Sequence, residues 1–346
     1  MISLQAIDKE TVLLNPVKDM AVRKIPSQIR FDPLTGRSAR ICHFMKLKWE
    51  MPDLARLASE SQANCPFCPE RVEAITPCFP PQILPEGRLK RNDMILFPNL
   101  APYDSIGAVA TMAASHIAPM TAFSAERMAA AFDLAMEFFR RLEALDHPEA
   151  VYHLVNWNYM PPAGSSVIHP HLQVFATSSA PNLVRQELEA SRRFKDEQGA
   201  IYWEKLVEFE AARKERYLGR VGRTHWIMSY APMGVAGDVI AVVEDAACTL
   251  DLSSDHLLDL GRGLRRVMQA YEQTGIYSFN MNFFSGRRQD GDYYRFHLVF
   301  SPRTFFNQTL GTTDIGALRN LYNETLCMAF PEEIATMLRP YFDEDR

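Results

Sequence analysis

The stretch "SSVIHPHLQVFA", residues 165–176, sets two histidines one residue apart, His169 and His171, with Gln173 next in the same alternation. The flanking residues Val167, Ile168, Leu172, Val174 and Phe175 are apolar and β-prone. Alternate side chains of a strand share a face, so the three polar groups would line one face of an otherwise apolar strand. A neutral imidazole in such a row can serve as nucleophile or as metal ligand near pH 7. Upstream, "NCPFCPE" supplies Cys65 and Cys68 at C-x-x-C spacing. That spacing fits a zinc half-site, a redox pair or two buried thiols. A redox pair sits at a helix start in a βαβ context, which the surrounding pattern lacks. Pro66 and Pro69 favour a tight extended knuckle instead, so metal is the preferred reading.

The elements that must hold these residues can be read from periodicity. Residues 1–30 show no clear period and are expected to wander over the surface. "FDPLTGR", 31–37, reads as a turn between strands. Residues 92–114 hold short apolar strands, and "SAERMAAAFDLAMEFFRRLEAL", 124–145, is an amphipathic helix with Ser124 as N-cap. "AVYHLVNWN", 150–158, is a strand, and 183–216 is charged and helical. The second half replays the first in order. "HWIMSYAPMGVAGDVIAVVED" echoes 93–114, "SSDHLLDLGRGLRRVMQAYEQTG" is another N-capped helix, "YSFNMNFF" echoes "YHLVNWN", and "RFHLVFSP" echoes "HPHLQVFA". The expected fold class is therefore α+β, a duplicated unit of antiparallel sheet with packed helices, divided into 1–190 and 191–346. In this overlay His297 stands opposite His171 and Arg295 opposite His169, so the first copy should carry the chemistry.

Bulk properties narrow the class. The chain has 346 residues, 47% of them apolar, with a net charge of −5. That length supports two core-forming units, and the acidic balance argues against a nucleic-acid-coating protein. There is no long uncharged apolar run and no secretory pattern at the start, so neither a membrane span nor export is expected. Six scattered cysteines are too few for a disulfide scaffold, which makes a reducing cytoplasmic location the expectation.

"HPHLQ" resembles the His-Pro-His-x-Gln strand of galactose-1-phosphate uridylyltransferases, within the histidine-triad (HIT) superfamily. The resemblance extends over "DPLTG", "CPFC", "ND" at 92–93, "SH" at 115–116 and "GSSVIHPHLQ", in the family's order and near its spacing. It implies a duplicated HIT-like fold and a homodimer in which the partner chain completes the site. It implies zinc held by Cys65, Cys68, His116 and His169, with a structural role because four protein ligands leave no open position. His171 would be the nucleophile that attacks the α-phosphorus of a nucleotide sugar or similar donor. Ser166, Asn158 and Gln173 would contact phosphoryl oxygens, and Asn92 and Asp93 would hold the nucleoside. Glutamine at 173, where many hydrolases of the superfamily have a third histidine, cannot shuttle a proton and fits a transferase.

The departures from the family shape the functional reading. The arginines expected after "DPLTG" have no clean match, with only Lys46 and Lys48 nearby. At the family's second metal site Glu187 and His297 are in place, but Arg295 and Phe284 stand where histidines are expected. No second metal is expected, and Arg295 is expected to pair with Glu187 in its stead. "NETLCMAFPEEIATMLR", 323–339, resembles the family's final helix, yet Leu326 replaces the glutamine that contacts the sugar phosphate. The expected activity is nucleotidyl transfer from a nucleotide sugar or similar donor to a phosphorylated small-molecule acceptor other than galactose-1-phosphate. The alternatives are a phosphorylase or hydrolase of dinucleoside polyphosphates or nucleotide sugars, and a zinc-stabilised binding protein.

Overall fold

A computed structural model describes residues 2–43 and 49–343; Lys46 and Lys48 lie outside them. The chain begins with β1 (Gln5–Asn15), β2 (Ala21–Phe31) and β3 (Ser38–Cys42), followed by α1 (Leu54–Ser61) and α2 (Pro69–Ile75). The first repeat continues with β4 (Leu89–Arg91), β5 (Met94–Pro98), β6 (Ile106–Thr111), α3 (Ala125–Ala144), β7 (Tyr152–Tyr159) and β8 (His171–Thr177). Two helices, α4 (Asn182–Gln198) and α5 (Tyr202–Arg213), lead into β9 (Tyr217–Val221), β10 (Thr224–Met228), β11 (Val239–Val243), α6 (Ser254–Glu272), β12 (Ser278–Phe284) and β13 (His297–Arg303). The chain closes with β14 (Phe305–Asn307), β15 (Thr312–Thr313), α7 (Ala317–Tyr322), β16 (Thr325–Cys327) and α8 (Pro331–Leu338).

Ten strands form one sheet in the order β4-β5-β6-β8-β7-β12-β13-β11-β10-β9. The order is a palindrome of equivalent elements, which is the duplication seen in the sequence. β7 and β12 meet at its centre, antiparallel, with Asn158 opposite Asn280 and Asn156 opposite Asn282. Along β7 the odd-numbered residues His153, Val155, Trp157 and Tyr159 are buried and the even-numbered ones half-buried. The buried face packs under α3 and α6, joining Trp157, Leu172, Phe279 and Phe300 to Phe132, Phe139, Leu260 and Leu264 in the main core. Ser124 caps α3 by accepting from the Arg127 amide at 3.1 Å, and Ser253 and His256 form a reciprocal capping box on α6. A side chain at Gly261 would lie 2.4 Å from the Ala125 carbonyl oxygen, so glycine lets α6 approach the start of α3.

The opposite face carries the site. α4 and α5 cover its second half through Leu188, Trp203, Leu206, Phe284 and Val299. The loop after α1 and α2 cover the other end through Phe67, Val72, Phe97 and Val109. Between these covers lie the half-buried amides Asn158, Gln173 and Asn280.

Two expectations change. The N-terminal residues do not wander; β1 and β2 form a hairpin in register from Gln5 opposite Phe31 to Asn15 opposite Ala21. Ten of the eleven β1 residues are exposed, so no face is selected for burial and the strand leaves no period to read. Residues 323–339 are not one helix: β16 pairs parallel with β3, and α8 starts afresh at Pro331, which suits a first turn but not a helix interior. Among the described residues no helix is long and apolar enough to cross a membrane.

Candidate active site

Residues singled out by spacing and by the family resemblance converge. Cys65, Cys68, His116 and His169 are buried, and one ligand atom from each lies within 4.8 Å of the others. Cys68 Sγ is 3.4 Å from His116 Nδ1 and 3.7 Å from His169 Nδ1. Tetrahedral coordination with metal–sulfur and metal–nitrogen bonds of ordinary length predicts a separation of about 3.6 Å. These distances therefore read as edges of a metal polyhedron. The outer nitrogens support the same assignment. His169 Nε2 is 2.8 Å from the Ala113 carbonyl oxygen, so it carries the proton and frees Nδ1 as a lone-pair donor. His116 Nε2 is 2.8 Å from Ser61 Oγ, whose own proton goes to the Leu57 carbonyl. Burial lowers His169 to about 4 and also lowers His116, keeping both rings neutral. Burial and the adjoining Cys65 push the Cys68 thiol up to about 12, a cost that a bound cation would offset. The cluster therefore fits a metal ion, held by four protein ligands.

His169 precedes β8, and His171 opens it. His171 Nδ1 lies 2.7 Å from the His169 carbonyl oxygen, which can only accept. The proton is thereby fixed on Nδ1, and Nε2 keeps its lone pair. Among the described residues nothing hydrogen-bonds Nε2. Burial holds the ring below the usual histidine value, so it is neutral at pH 7. Phe67, from between the two cysteines, sets its ring 5.0 Å from the His171 ring at 67°. The C-x-x-C knuckle and the His171 ring are thus packed together.

Beside His171 on the same strand face, Gln173 Oε1 accepts from Asn158 Nδ2 at a long 3.5 Å. Asn158 Oδ1 accepts from Asn280 Nδ2 at 2.7 Å. Ser166 is exposed in the loop that joins β7 to β8. That loop turns at Gly164, whose φ of 82° suits glycine. Asn92 and Asp93 form the two-residue turn between β4 and β5, with Asn92 at a φ of 54°. Asp93 is held by Arg127 at 2.9 Å and by the Ala114 amide at 3.0 Å. Burial works against its charge, yet the Arg127 guanidinium keeps it below the usual carboxylate range. Both residues therefore have structural reasons to be what they are.

The second repeat has a counterpart built differently. His297 Nδ1 is 3.2 Å from the Arg295 carbonyl oxygen, the same hook that His171 makes. Its ring stacks between Trp203, at 3.9 Å, and Phe284, at 4.9 Å. Its Nε2 faces Glu187 Oε2 at 3.4 Å, and Tyr294 donates to that carboxyl oxygen at 3.0 Å. The expected Arg295–Glu187 pair is not formed. Arg295 turns outward to Glu204 at 2.6 Å and to the Gly291 carbonyl. Burial lowers His297 to about 3 and raises Glu187, so burial opposes charge on both although they lie within ion-pair distance. A neutral ring with its proton on Nδ1 leaves Nε2 as an acceptor, and a protonated Glu187 is the partner that suits it.

Sequence reading did not find Phe67, Ser61 or Asn280. Phe67 was legible only as the middle of "CPFC". Asn280 was signalled by the alternating asparagines of "NMN" echoing "NWN", which place it on the site face of β12.

No protein-family profile matches the chain. An uncharacterized protein of Archaeoglobus fulgidus is 29% identical over 319 residues, 92% of this chain and 93% of that one. ADP-glucose phosphorylase of Arabidopsis thaliana, solved with bound ADP-glucose, superimposes with a TM-score of 0.67 at 17% identity, over 90% of this chain and 98% of that one. A uridylyltransferase structure does so with a TM-score of 0.65 at 17% identity, over 92% and 99% of the two chains. The palindromic sheet with its paired helices is thus the duplicated fold that uridylyltransferase and ADP-glucose phosphorylase share, and this chain has that fold.

Proposed function

We propose that the protein is a nucleotidyltransferase that works through a covalent nucleotidyl-histidine at His171. The observation that carries this is the fixed tautomer: Nδ1–H is spent on the His169 carbonyl, and a neutral Nε2 is left with its lone pair. Nε2 attacks the α-phosphorus of a nucleotide sugar or similar donor. The bond from that phosphorus to the bridging oxygen breaks, and the oxygen leaves with the electron pair as the sugar phosphate. An oxygen of a phosphorylated acceptor then attacks the same phosphorus and returns the pair to Nε2. Gln173, Asn158 and Ser166 contact the phosphoryl oxygens, where donors fixed in advance stabilise developing charge. Asn92 and Asp93 hold the nucleoside. Gln173 offers no proton to a poor leaving group and no base to water, which favours transfer over hydrolysis.

Cys65, Cys68, His116 and His169 would hold zinc. Bound there, the ion supplies structural cross-linking of the Phe67 knuckle to the start of β8 and leaves no open ligand position. The catalytic unit is residues 1–190 and the degenerate one 191–346, which meet inside α4 and share one sheet. The assembly is a cytoplasmic homodimer.

A phosphorylase acting on the same donors is the second reading. Leu326 favours it, since the family resemblance puts a glutamine that contacts the sugar phosphate at this position and an apolar side chain cannot make that contact. Product analysis separates the two. Wild-type protein incubated with UDP-glucose or ADP-glucose and a second, labelled sugar phosphate should build the label into a nucleotide sugar without added inorganic phosphate. Release of nucleoside diphosphate that depends strictly on inorganic phosphate would favour the phosphorylase, and product from His171→Ala at the wild-type rate would contradict both.

A further inference from the structure

The amides that face His171 are oriented from the second repeat. Arg303, at the end of β13, is buried and pairs with the buried Asp314, its Nε lying 2.9 Å from each carboxylate oxygen. The Thr304 amide also donates to Asp314, at 3.2 Å, so the pair is held in place. The remaining Arg303 nitrogen, Nη1, donates to Asn280 Oδ1. Asn280 Nδ2 donates onward to Asn158 Oδ1 at 2.7 Å and to the Ala163 carbonyl at 2.9 Å. Asn158 Nδ2 then points to Gln173 Oε1.

The chain has a direction. A guanidinium can only donate, whereas each primary amide has one accepting and one donating end and can turn over. Because Arg303 cannot accept, Asn280 must show it oxygen, and its NH2 then faces Asn158. The same constraint passes to Asn158 and on to Gln173, so Gln173 must present its NH2 away from the chain. A reversed Gln173 would present an oxygen lone pair to phosphoryl oxygens. Asn280 also ties down Ala163, at the start of the loop that carries Ser166.

We infer that Arg303 and Asn280 are positioning residues that fix the amide polarity of the phosphoryl site, so that one repeat sets the donor direction used by the other. This rests on the nucleotidyl-histidine reading. It differs from a packing role, because what is transmitted is which end of each amide faces the substrate.

The test measures the rate at which His171 gains a nucleotidyl group from UDP-glucose and ADP-glucose, by quenched intact-protein mass spectrometry. Three variants are compared with wild type. Asn280→Leu removes the relay and leaves the Arg303–Asp314 pair intact. Arg303→Gln places a reversible amide at the head of the chain, and Arg303→Lys keeps a donor-only group there. The expected result is a rate about 10–100-fold lower for Asn280→Leu and Arg303→Gln at saturating donor, with donor KM within about threefold; melting temperature should stay close to wild type in Asn280→Leu and fall in Arg303→Gln, which leaves the buried Asp314 without its charge partner. Arg303→Lys should retain most of the rate. If the Arg303 variants do not fold, Asn280→Leu alone decides. An Asn280→Leu rate equal to wild type would overturn the relay and leave the nucleotidyl-histidine reading standing. Equal losses in Arg303→Gln and Arg303→Lys that track melting temperature would also overturn it, in favour of simple stabilisation. No adduct on the wild-type protein would remove the reading itself, and the relay with it.

Discussion

His171 and His297 occupy equivalent places on the two halves of one sheet, and each gives its Nδ1 proton to the carbonyl two residues earlier, at 2.7 and 3.2 Å. Everything around the second nitrogen differs. At His171 nothing among the described residues hydrogen-bonds Nε2, amides lie on the same strand face, and the ring is braced on one edge by Phe67. At His297 Nε2 faces Glu187, and both ring faces are covered by Trp203 and Phe284. The backbone hook is therefore a property of the fold that settles the tautomer in both repeats. Reactivity is decided by what is packed against the other nitrogen. A histidine in the right tautomer becomes a core residue once aromatic rings and a carboxyl close over it.

The largest expected effect breaks the symmetry from the active side. If His171 is the proposed nucleophile, His171→Ala should lower nucleotidyl transfer by about 10³-fold or more. Its metal content, measured by elemental analysis, should stay at the wild-type level. Loss of metal would mean that His171 rather than His169 is the ligand. The matching change on the other side, His297→Ala, should leave transfer per folded molecule intact. It should cost about 2–4 kcal/mol in denaturant unfolding, because it opens a cavity between two rings.

Cys68→Ser should lower metal content and thermal stability together, since binding energy at a four-ligand site is folding energy. Metal loss without a change in melting temperature would contradict a structural role.

The pH dependence of stability follows from burial. His153, stacked on Phe139, is lowered to about 4, and His297 to about 3, both by burial. Their unfolded counterparts titrate near pH 6.5, so the unfolded chain takes up protons first as pH falls. Stability should be full above pH 6.5 and fall towards pH 4, by at most about 1.4 kcal/mol per pH unit for each histidine. Glu187, raised by burial, acts in the opposite sense and offsets part of this loss. Urea unfolding across pH 4–8 checks the slope, and His153→Phe should flatten it.

The smallest expected effect sharpens the comparison most. If Glu187 is the proton carrier in the Glu187–His297 pair, Glu187→Gln keeps a donor towards Nε2 and an acceptor for Tyr294. Its cost should be below about 1 kcal/mol in denaturant unfolding. A loss of several kcal/mol would mean that Glu187 is an anion and His297 a cation.

The chemistry was more legible than the scaffold around it. "HPHLQ" and "CPFC" pack several functional atoms into short runs, so spacing picks out the two thiols and the His169–His171–Gln173 row, while the full ligand set with His116 and the role of His171 came from the family resemblance. The helices were visible because Ser124 and Ser253 cap amphipathic periods. The β1–β2 hairpin was not, because a strand exposed along its length has no face for a pattern to record. The Glu187–Tyr294 contact was equally hidden: Tyr294 comes from a loop distant from α4, and nothing in sequence says that Arg295 turns away. Asn280 lay between these cases. Its alternation was plain, but its meaning depends on β7 and β12 pairing at the centre of the sheet, with Asn158 opposite it.

The most direct measurement is the mass of the intact protein after brief exposure to a panel of UDP-, ADP- and GDP-sugars and dinucleoside polyphosphates, quenched at alkaline pH to preserve a phosphoramidate. The account predicts one added nucleoside monophosphate on wild type, located on the peptide containing His171 and absent from His171→Ala. An adduct elsewhere, or product formed by His171→Ala as fast as by wild type, would contradict it.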